Sequence, residues 1–154
     1  MTTIAYRNGI LAADTRVIIG GSTMGSINKI AKNFGGSLAG AGGNAGYNYA
    51  FIEWFRNGEE GIPPEAKVTD NALDRGVIFR VDGKIEVYEP DGKFMIKAPY
   101  YALGSGMDVA LGAMFMGATA EQAVQAAIAH DNGTGGDVLV LKHHIDHHCL
   151  TTQW

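Results

Sequence analysis

Cysteine is nearly absent from this chain of 154 residues: Cys149 stands alone, which excludes an internal disulfide and suits a reducing, cytoplasmic setting. Charge is scarce as well. Asp, Glu, Lys and Arg make up 18% of the residues, below the roughly 25% of an average globular chain, so part of the surface is expected to be covered by neighbours. The net charge of −4 leaves no basic footprint for nucleic acid. No apolar run approaches the roughly 18 residues of a membrane span, and Arg7, Asp14 and Arg16 interrupt any apolar leader. Neither nucleic acid nor membrane is therefore an expected partner. Glycine is what the chain has in excess. Its 22 residues, about twice the usual share, predict many tight turns and close backbone approaches. The length suits one domain over 1–154 with a real core.

Strand signals come first. Thr3–Tyr6 and Ile10–Ala13 flank Asn8-Gly9, a favoured hairpin turn. Val17–Ile19 runs into Gly20-Gly21-Ser22, and Ile27–Ala31 pairs with Ser37–Gly40 across Asn33-Phe34-Gly35-Gly36. Helical spacing begins at Asn44, an N-cap residue type. Tyr47, Ala50, Phe51, Trp54 and Phe55 form an apolar stripe that stops at Asn57-Gly58. Residues 58–75, with Pro63-Pro64, read as a loop with room for a short helical turn. Asp82-Gly83 and Asp91-Gly92 then mark two hairpins between Val77–Val81, Ile85–Tyr88 and Phe94–Ile96. Two helices follow, Asp108–Met116 and a second opened by the capping-box spacing Thr119-Ala120-Glu121-Gln122. Val138–Leu141 and His147–Trp154 are late strand candidates. Segregated blocks of strands and helices favour antiparallel sheets with helices outside, an α+β class.

Thr2 carries the chemistry. Once Met1 is removed, Thr2 has a free α-amine beside its own hydroxyl, so one residue supplies nucleophile and base. Further along come Ala13-Asp14-Thr15-Arg16, Asn28-Lys29-Ile30, Leu38-Ala39-Gly40, Leu103-Gly104-Ser105-Gly106 and His130-Asp131-Asn132-Gly133-Thr134-Gly135-Gly136-Asp137. Their types and order resemble the proteasome β-subunit and its bacterial HslV relatives among the N-terminal-nucleophile hydrolases. That resemblance implies a four-layer αββα sandwich and a threonine-type peptidase. It assigns Thr2 as nucleophile, Lys29 as electrostatic activator, Asp14 as partner of Lys29 and Gly40 as oxyanion donor. Ser105, Asp131 and Thr134 would position the α-amine and carry protons. A buried ammonium near the amine favours its neutral form, and the charged lysine needs Asp14 because an unpaired buried charge is costly. The mechanism requires no cofactor and no metal. The positions that match the side-chain pocket are Val17, Ile27, Ala31, Leu38 and Gly42; none is charged, which implies an apolar residue before the scissile bond. The resemblance also implies a homo-oligomeric ring, a peptide or unfolded-protein substrate, and an AAA+ unfoldase as partner.

Two departures and three rivals stand beside it. Ile18 replaces a threonine usual in the family, and residues 65–75 are too few for its second long helix. Gly40-Ala41-Gly42-Gly43-Asn44-Ala45 fits a dinucleotide-binding pattern with Glu59 and Glu60 downstream, but hairpin-connected strands precede it and no parallel βαβ unit follows. His143-His144-Ile145-Asp146-His147-His148-Cys149 holds zinc-type ligands. Adjacent histidines on a strand face opposite ways, so a polar hairpin turn at His144-Ile145-Asp146 is the simpler reading. The third rival keeps the fold and drops the chemistry: an inactive ring subunit with a scaffolding role.

Overall fold

The computed structural model describes residues 1–143. The described residues form mixed α and β structure, three helices and eleven strands, with every strand pair among them antiparallel. Strands β1 (Thr3–Arg7) and β2 (Ile10–Ala13) form the expected hairpin, with Asn8 and Gly9 both at positive φ. They sit at the centre of a four-stranded sheet, β10-β1-β2-β11, completed by β10 (Tyr100–Gly104) and β11 (Leu139–Lys142). A separate two-stranded ribbon joins β3 (Arg16–Ile19) to β4 (Ser22–Ser26) through Gly20-Gly21. The third sheet runs β5-β6-β7-β8-β9: Ile30–Lys32, Leu38–Gly42, Arg75–Phe79, Ile85–Glu89 and Gly92–Ile96.

Alternation along each strand sorts the side chains between two faces. Ile4 and Tyr6 of β1 join Leu38, Val77, Phe79 and Val87 in a core shared by the four- and five-stranded sheets. The intervening Ala5, with Ala12 and Ala102, faces the other way, against α2 (Met107–Phe115) and α3 (Ala120–His130). Ile78 likewise turns from the shared core to pack with Phe51, Ile52 and Phe55 of α1 (Ala45–Arg56). Each fully buried Ile, Leu, Val or Phe side chain among them contributes about 1.5–3 kcal/mol by leaving water. Gly76 leaves the room that the Phe51 ring occupies.

The helix ends follow the sequence closely. At α3, the Gln122 N–H donates to Thr119 Oγ1 at 3.1 Å and the Thr119 N–H donates to Gln122 Oε1 at 2.9 Å, a complete capping box. Asn44 caps α1 by position, but its side chain donates to Asp74 Oδ1 (3.3 Å) and makes no cap bond. No helix or helical turn forms between α1 and β7. Residues 58–74 are irregular apart from an isolated bridge between Val68 and Leu73. Buried Asp74 organises that loop, accepting from the backbone N–H groups of Asn44 (2.9 Å) and Lys67 (3.0 Å).

His143 is the one member of the His-rich tail within the described residues. Gly36 O can only accept, so His143 Nδ1 donates to it (2.8 Å), and in the neutral ring Nε2 then accepts from Tyr6 Oη (2.8 Å). The remaining tail residues, His144–Cys149, and the strand expected over His147–Trp154 lie outside the described residues. Among the described residues no helix is long and apolar enough to cross a membrane, and no three His, Cys, Asp or Glu side chains group as metal ligands.

Candidate active site

Five separate chain segments meet at Thr2. It is buried at the mouth of β1, which the ladder pairs Thr3↔Gly104 and Ile4↔Ala13 fix between β10 and β2. The Thr2 carbonyl accepts from the Gly106 N–H at 3.4 Å, and Ser105 Oγ lies at the same distance from it. Gly104 passes so close to that carbonyl, at a φ of +101°, that any side chain there would run into it.

Asp14 follows β2 and Lys29 precedes β5; their side chains are 0% and 1% exposed and meet with Nζ 3.0 Å from Oδ1. Burying such a pair is favourable only if its remaining hydrogen-bond capacity is used. Here it is used: the Thr3 N–H donates to Asp14 Oδ1 at 2.9 Å and the Gly135 N–H to Oδ2 at 3.0 Å. Lys29 Nζ spends a second bond on the Met1 carbonyl, also at 3.0 Å. Burial lowers the Lys29 ammonium from its ordinary range; the adjacent Asp14 opposes the shift and Arg16 adds to it.

A hydroxyl–carboxylate chain lies on the other side of Thr2. Ser105 Oγ donates to Asp131 Oδ2 at 2.7 Å and Thr134 Oγ1 donates to the same oxygen at 2.5 Å. Because the Thr134 proton is committed there, Thr3 Oγ1 is the donor in its 2.6 Å contact with Thr134 Oγ1. Burial pushes the Asp131 carboxyl upward, but bonds from Thr134, Ser105 and the Gly133 backbone, with the N-terminal charge, hold it below its ordinary value. The N-terminal amine, carried by Met1, is lowered in turn by burial and by Lys29, against the opposing charges of Asp14 and Asp131.

Thr2, Asp14, Lys29, Ser105, Asp131 and Thr134 are thus brought together. Gly40 is not. It is paired on both sides within its sheet, to Ile30 and Val77, and faces Ile4 and Ile30 in the shared core. From β6 it is Gly42 that approaches Thr2, where a Cβ would lie 3.9 Å from the Thr2 Cβ; Gly43 follows just beyond the last ladder pair and lines both cavities beside Thr2. Gly43 has a φ of +111°, and a Cβ there would sit 2.6 Å from the Asp74 Cα.

Two cavities share Thr2 and Gly43 in their walls. The smaller, about 310 Å³, also includes Gly42, Arg75, Leu103 and Ser105. The larger, about 590 Å³, includes Lys29, Val17 and Ile27, together with Asn44, Asn48 and Asn71. Of the five expected pocket positions, Val17 and Ile27 line the larger cavity and Gly42 the smaller one. Ala31 and Leu38 line neither, because strand alternation sends Ala31 beneath α1 and Leu38 into the shared core. None of the three asparagines is a pocket position expected from the sequence, where Asn44 reads only as a helix cap and as part of the glycine-rich pattern. Asn48 had a signal, since it lies four residues after Asn44 on the buried stripe of the helix.

No protein-family model matches the chain, and no curated protein matches it. Solved structures do. Thiobacillus denitrificans BPH superposes with a TM-score of 0.63 and 19% identity, covering 94% of this chain and 99% of that one. The same protein in complex with epoxomicin gives a TM-score of 0.64 at 19% identity, covering 93% and 98%. At that identity the likeness is one of fold: over nearly its whole length the chain is built like BPH.

Proposed function

We propose that this chain is a threonine-type peptidase of the proteasome β-subunit and HslV kind, an N-terminal-nucleophile hydrolase built as one domain in a four-layer αββα sandwich. The convergence of Lys29–Asp14 and Ser105–Asp131–Thr134 on buried Thr2 carries the reading. The packing of α1 outside the five-stranded sheet and of α2 and α3 outside the four-stranded one supports the layered form. BPH, similar in fold, binds epoxomicin, a proteasome inhibitor.

The steps follow from the residues. Loss of Met1 frees the Thr2 α-amine, which takes the hydroxyl proton as Oγ1 attacks the substrate carbonyl carbon. Lys29 stabilises the charge growing on Oγ1 and disfavours protonation of the amine. The oxyanion is received by backbone N–H groups of the Gly42-Gly43 segment, a contribution commonly near ~3 kcal/mol of barrier. The protonated amine gives its proton to the leaving nitrogen, the C–N bond breaks, and water then hydrolyses the Thr2 ester. Ser105 and Asp131 orient the amine and relay protons. A homo-oligomeric ring, an unfolded-protein substrate delivered by an AAA+ unfoldase, and a cytoplasmic location belong to the same proposal.

The second reading is an inactive scaffolding subunit that keeps Met1. With Met1 in place the Thr2 nitrogen is an amide, and Lys29 is occupied by the Met1 carbonyl. Intact mass after incubation with epoxomicin separates the two. Loss of Met1 plus one adduct mapping to Thr2 is expected for the peptidase; retained Met1 without adduct leaves the scaffold reading.

A further inference from the structure

A glycine pair is the most pliant dipeptide a chain can place beside a nucleophile, yet a backbone that receives an oxyanion must hold its N–H groups still. Two consecutive residues at the start of β7 hold Gly42-Gly43. Gly42 ends the β6 ladder, paired with Arg75. Beyond Gly43, the Asn44 N–H donates to Asp74 Oδ1 at 2.9 Å, which sets the plane of the Gly43–Asn44 peptide. Gly43 itself runs against the same segment: an added Cβ would lie 2.6 Å from the Asp74 Cα and 2.9 Å from the Leu73 carbonyl oxygen.

Asp74 is 3% exposed, and no ion pair joins it among the described residues. A carboxylate buried without a cation is costly unless N–H groups serve it. Those groups divide between two tasks. Oδ1 accepts from the Asn44 N–H and, at 3.3 Å, from the Asn44 side-chain amide, while Oδ2 accepts from the Lys67 N–H at 3.0 Å. The 67–74 loop is already closed by the Asp74 N–H on the Lys67 carbonyl at 2.9 Å, so closing it does not by itself call for a buried carboxylate. The carboxylate adds the hold on Asn44.

We infer that Asp74 is a positioning residue whose carboxylate clamps the Gly42-Gly43 backbone in the geometry that receives the oxyanion. Asp74 lines neither cavity and acts through the Asn44 N–H. The inference rests on the reading of Thr2 as nucleophile.

Three variants separate this role from a structural one. Asp74→Ala removes the clamp together with the Lys67 bond. Asp74→Asn keeps an acceptor oxygen for Asn44 and turns its NH2 toward Lys67. Asn44→Pro keeps Asp74 but deletes the clamped N–H, at a φ of −69° that proline adopts. Active sites are counted by intact mass after exhaustive reaction with epoxomicin. Turnover per counted site is then measured on a fluorogenic peptide amide with leucine before the scissile bond. Asp74→Ala and Asn44→Pro are expected to lose about a hundredfold in kcat with KM nearly unchanged, as a small misplacement of reacting groups does. Asp74→Asn is expected to recover most of that loss. A loop anchor would change the number of sites but leave kcat per site equal in all three, which would overturn the inference. Asp74→Asn falling as far as Asp74→Ala would overturn it too, by assigning the effect to the charge. If Asp74→Ala does not fold, Asn44→Pro against Asp74→Asn decides. If the wild type forms no adduct and hydrolyses nothing, the nucleophile reading fails separately, and backbone order parameters of Gly42 and Gly43 carry the test. Values near about 0.85 in the wild type that drop below about 0.6 in Asp74→Ala or Asn44→Pro support the clamp; equal values overturn it.

Discussion

Lys29 Nζ stands 3.0 Å from Asp14 Oδ1, and both side chains are withdrawn from solvent. Removing one partner strands the other charge in a dry site, which costs about 3–5 kcal/mol. Asp14→Asn is therefore expected to destabilise the fold by that order, with added loss from the Thr3 and Gly135 N–H groups that Asp14 serves. The double variant Asp14→Asn/Lys29→Met removes both charges and should be more stable than Asp14→Asn alone. Urea unfolding of the single and double variants checks this; a double variant weaker than Asp14→Asn would show that the charge of Lys29 is not the burden.

On the proposed peptidase mechanism, substitutions at Gly40 and Gly42 are expected to separate stability from catalysis. A Cβ at Gly40 would come within 2.9 Å of Ile4 Cδ1 and 3.2 Å of Ile30 Cγ2, both in the shared core. Gly40→Ala should cost about 1–3 kcal/mol through overpacking, with residual activity in the fraction that folds. At Gly42 the nearest atom is the flexible end of Leu103 at 3.0 Å, and Thr2 lies at 3.9 Å. Gly42→Ala should thus unfold at nearly the wild-type urea concentration while losing roughly a hundredfold in kcat/KM by displacing the reacting groups. Measured together, the pair locates the oxyanion-binding backbone.

That contrast also marks how far the sequence could be read. The hairpin at Asn8-Gly9 and the α3 capping box were legible from local turn and cap chemistry. The grouping of Asp14, Lys29, Ser105, Asp131 and Thr134 was legible only through the order of short motifs that resemble the proteasome β-subunit, since each residue alone suits a surface ion pair, a helix cap or a turn. β4, whose Ser22–Ser26 is exposed throughout, and the edge strand β10 lack an alternating apolar pattern, so nothing local announced them. Gly40, Gly42 and Gly43 are chemically identical, and only the ladder pairs Gly40↔Val77 and Gly42↔Arg75 tell which one stops beside Thr2. The same limit misplaced Ala31 and Leu38, because a one-residue change of register exchanges the faces of a strand.

Two glycines predict opposite outcomes for the same substitution. Gly104 combines a φ of +101° with contact against the Thr2 carbonyl. Gly104→Ala should cost about 1–3 kcal/mol for the backbone strain alone and should displace Thr2, lowering both thermal stability and adduct formation. Gly112 lies inside α2, where an added Cβ meets nothing. Gly112→Ala should gain up to about 1 kcal/mol from helix propensity and reduced freedom of the unfolded chain, with activity unchanged. Differential scanning calorimetry of the two variants gives the comparison directly.

Asp131 makes stability depend on acid pH in a defined direction. Its folded-state acidity is held on the low side of 3.8 by Thr134, Ser105 and the Gly133 backbone, against the opposing effect of burial. A carboxyl with a depressed folded value binds its proton more readily when unfolded. Its contribution is therefore present above about pH 4, the unfolded range for aspartate, and lost as pH falls through the lower folded value. In Asp131→Asn this contribution is gone at every pH, so urea midpoints of wild type and variant should differ near neutrality and converge below about pH 4. Ser105 and Thr134 both donate to the same Oδ2, so Ser105→Ala should weaken the acid dependence without abolishing it. A gap between wild type and Asp131→Asn that stayed constant down to pH 2 would mean that Asp131 stabilises the fold without a shifted titration.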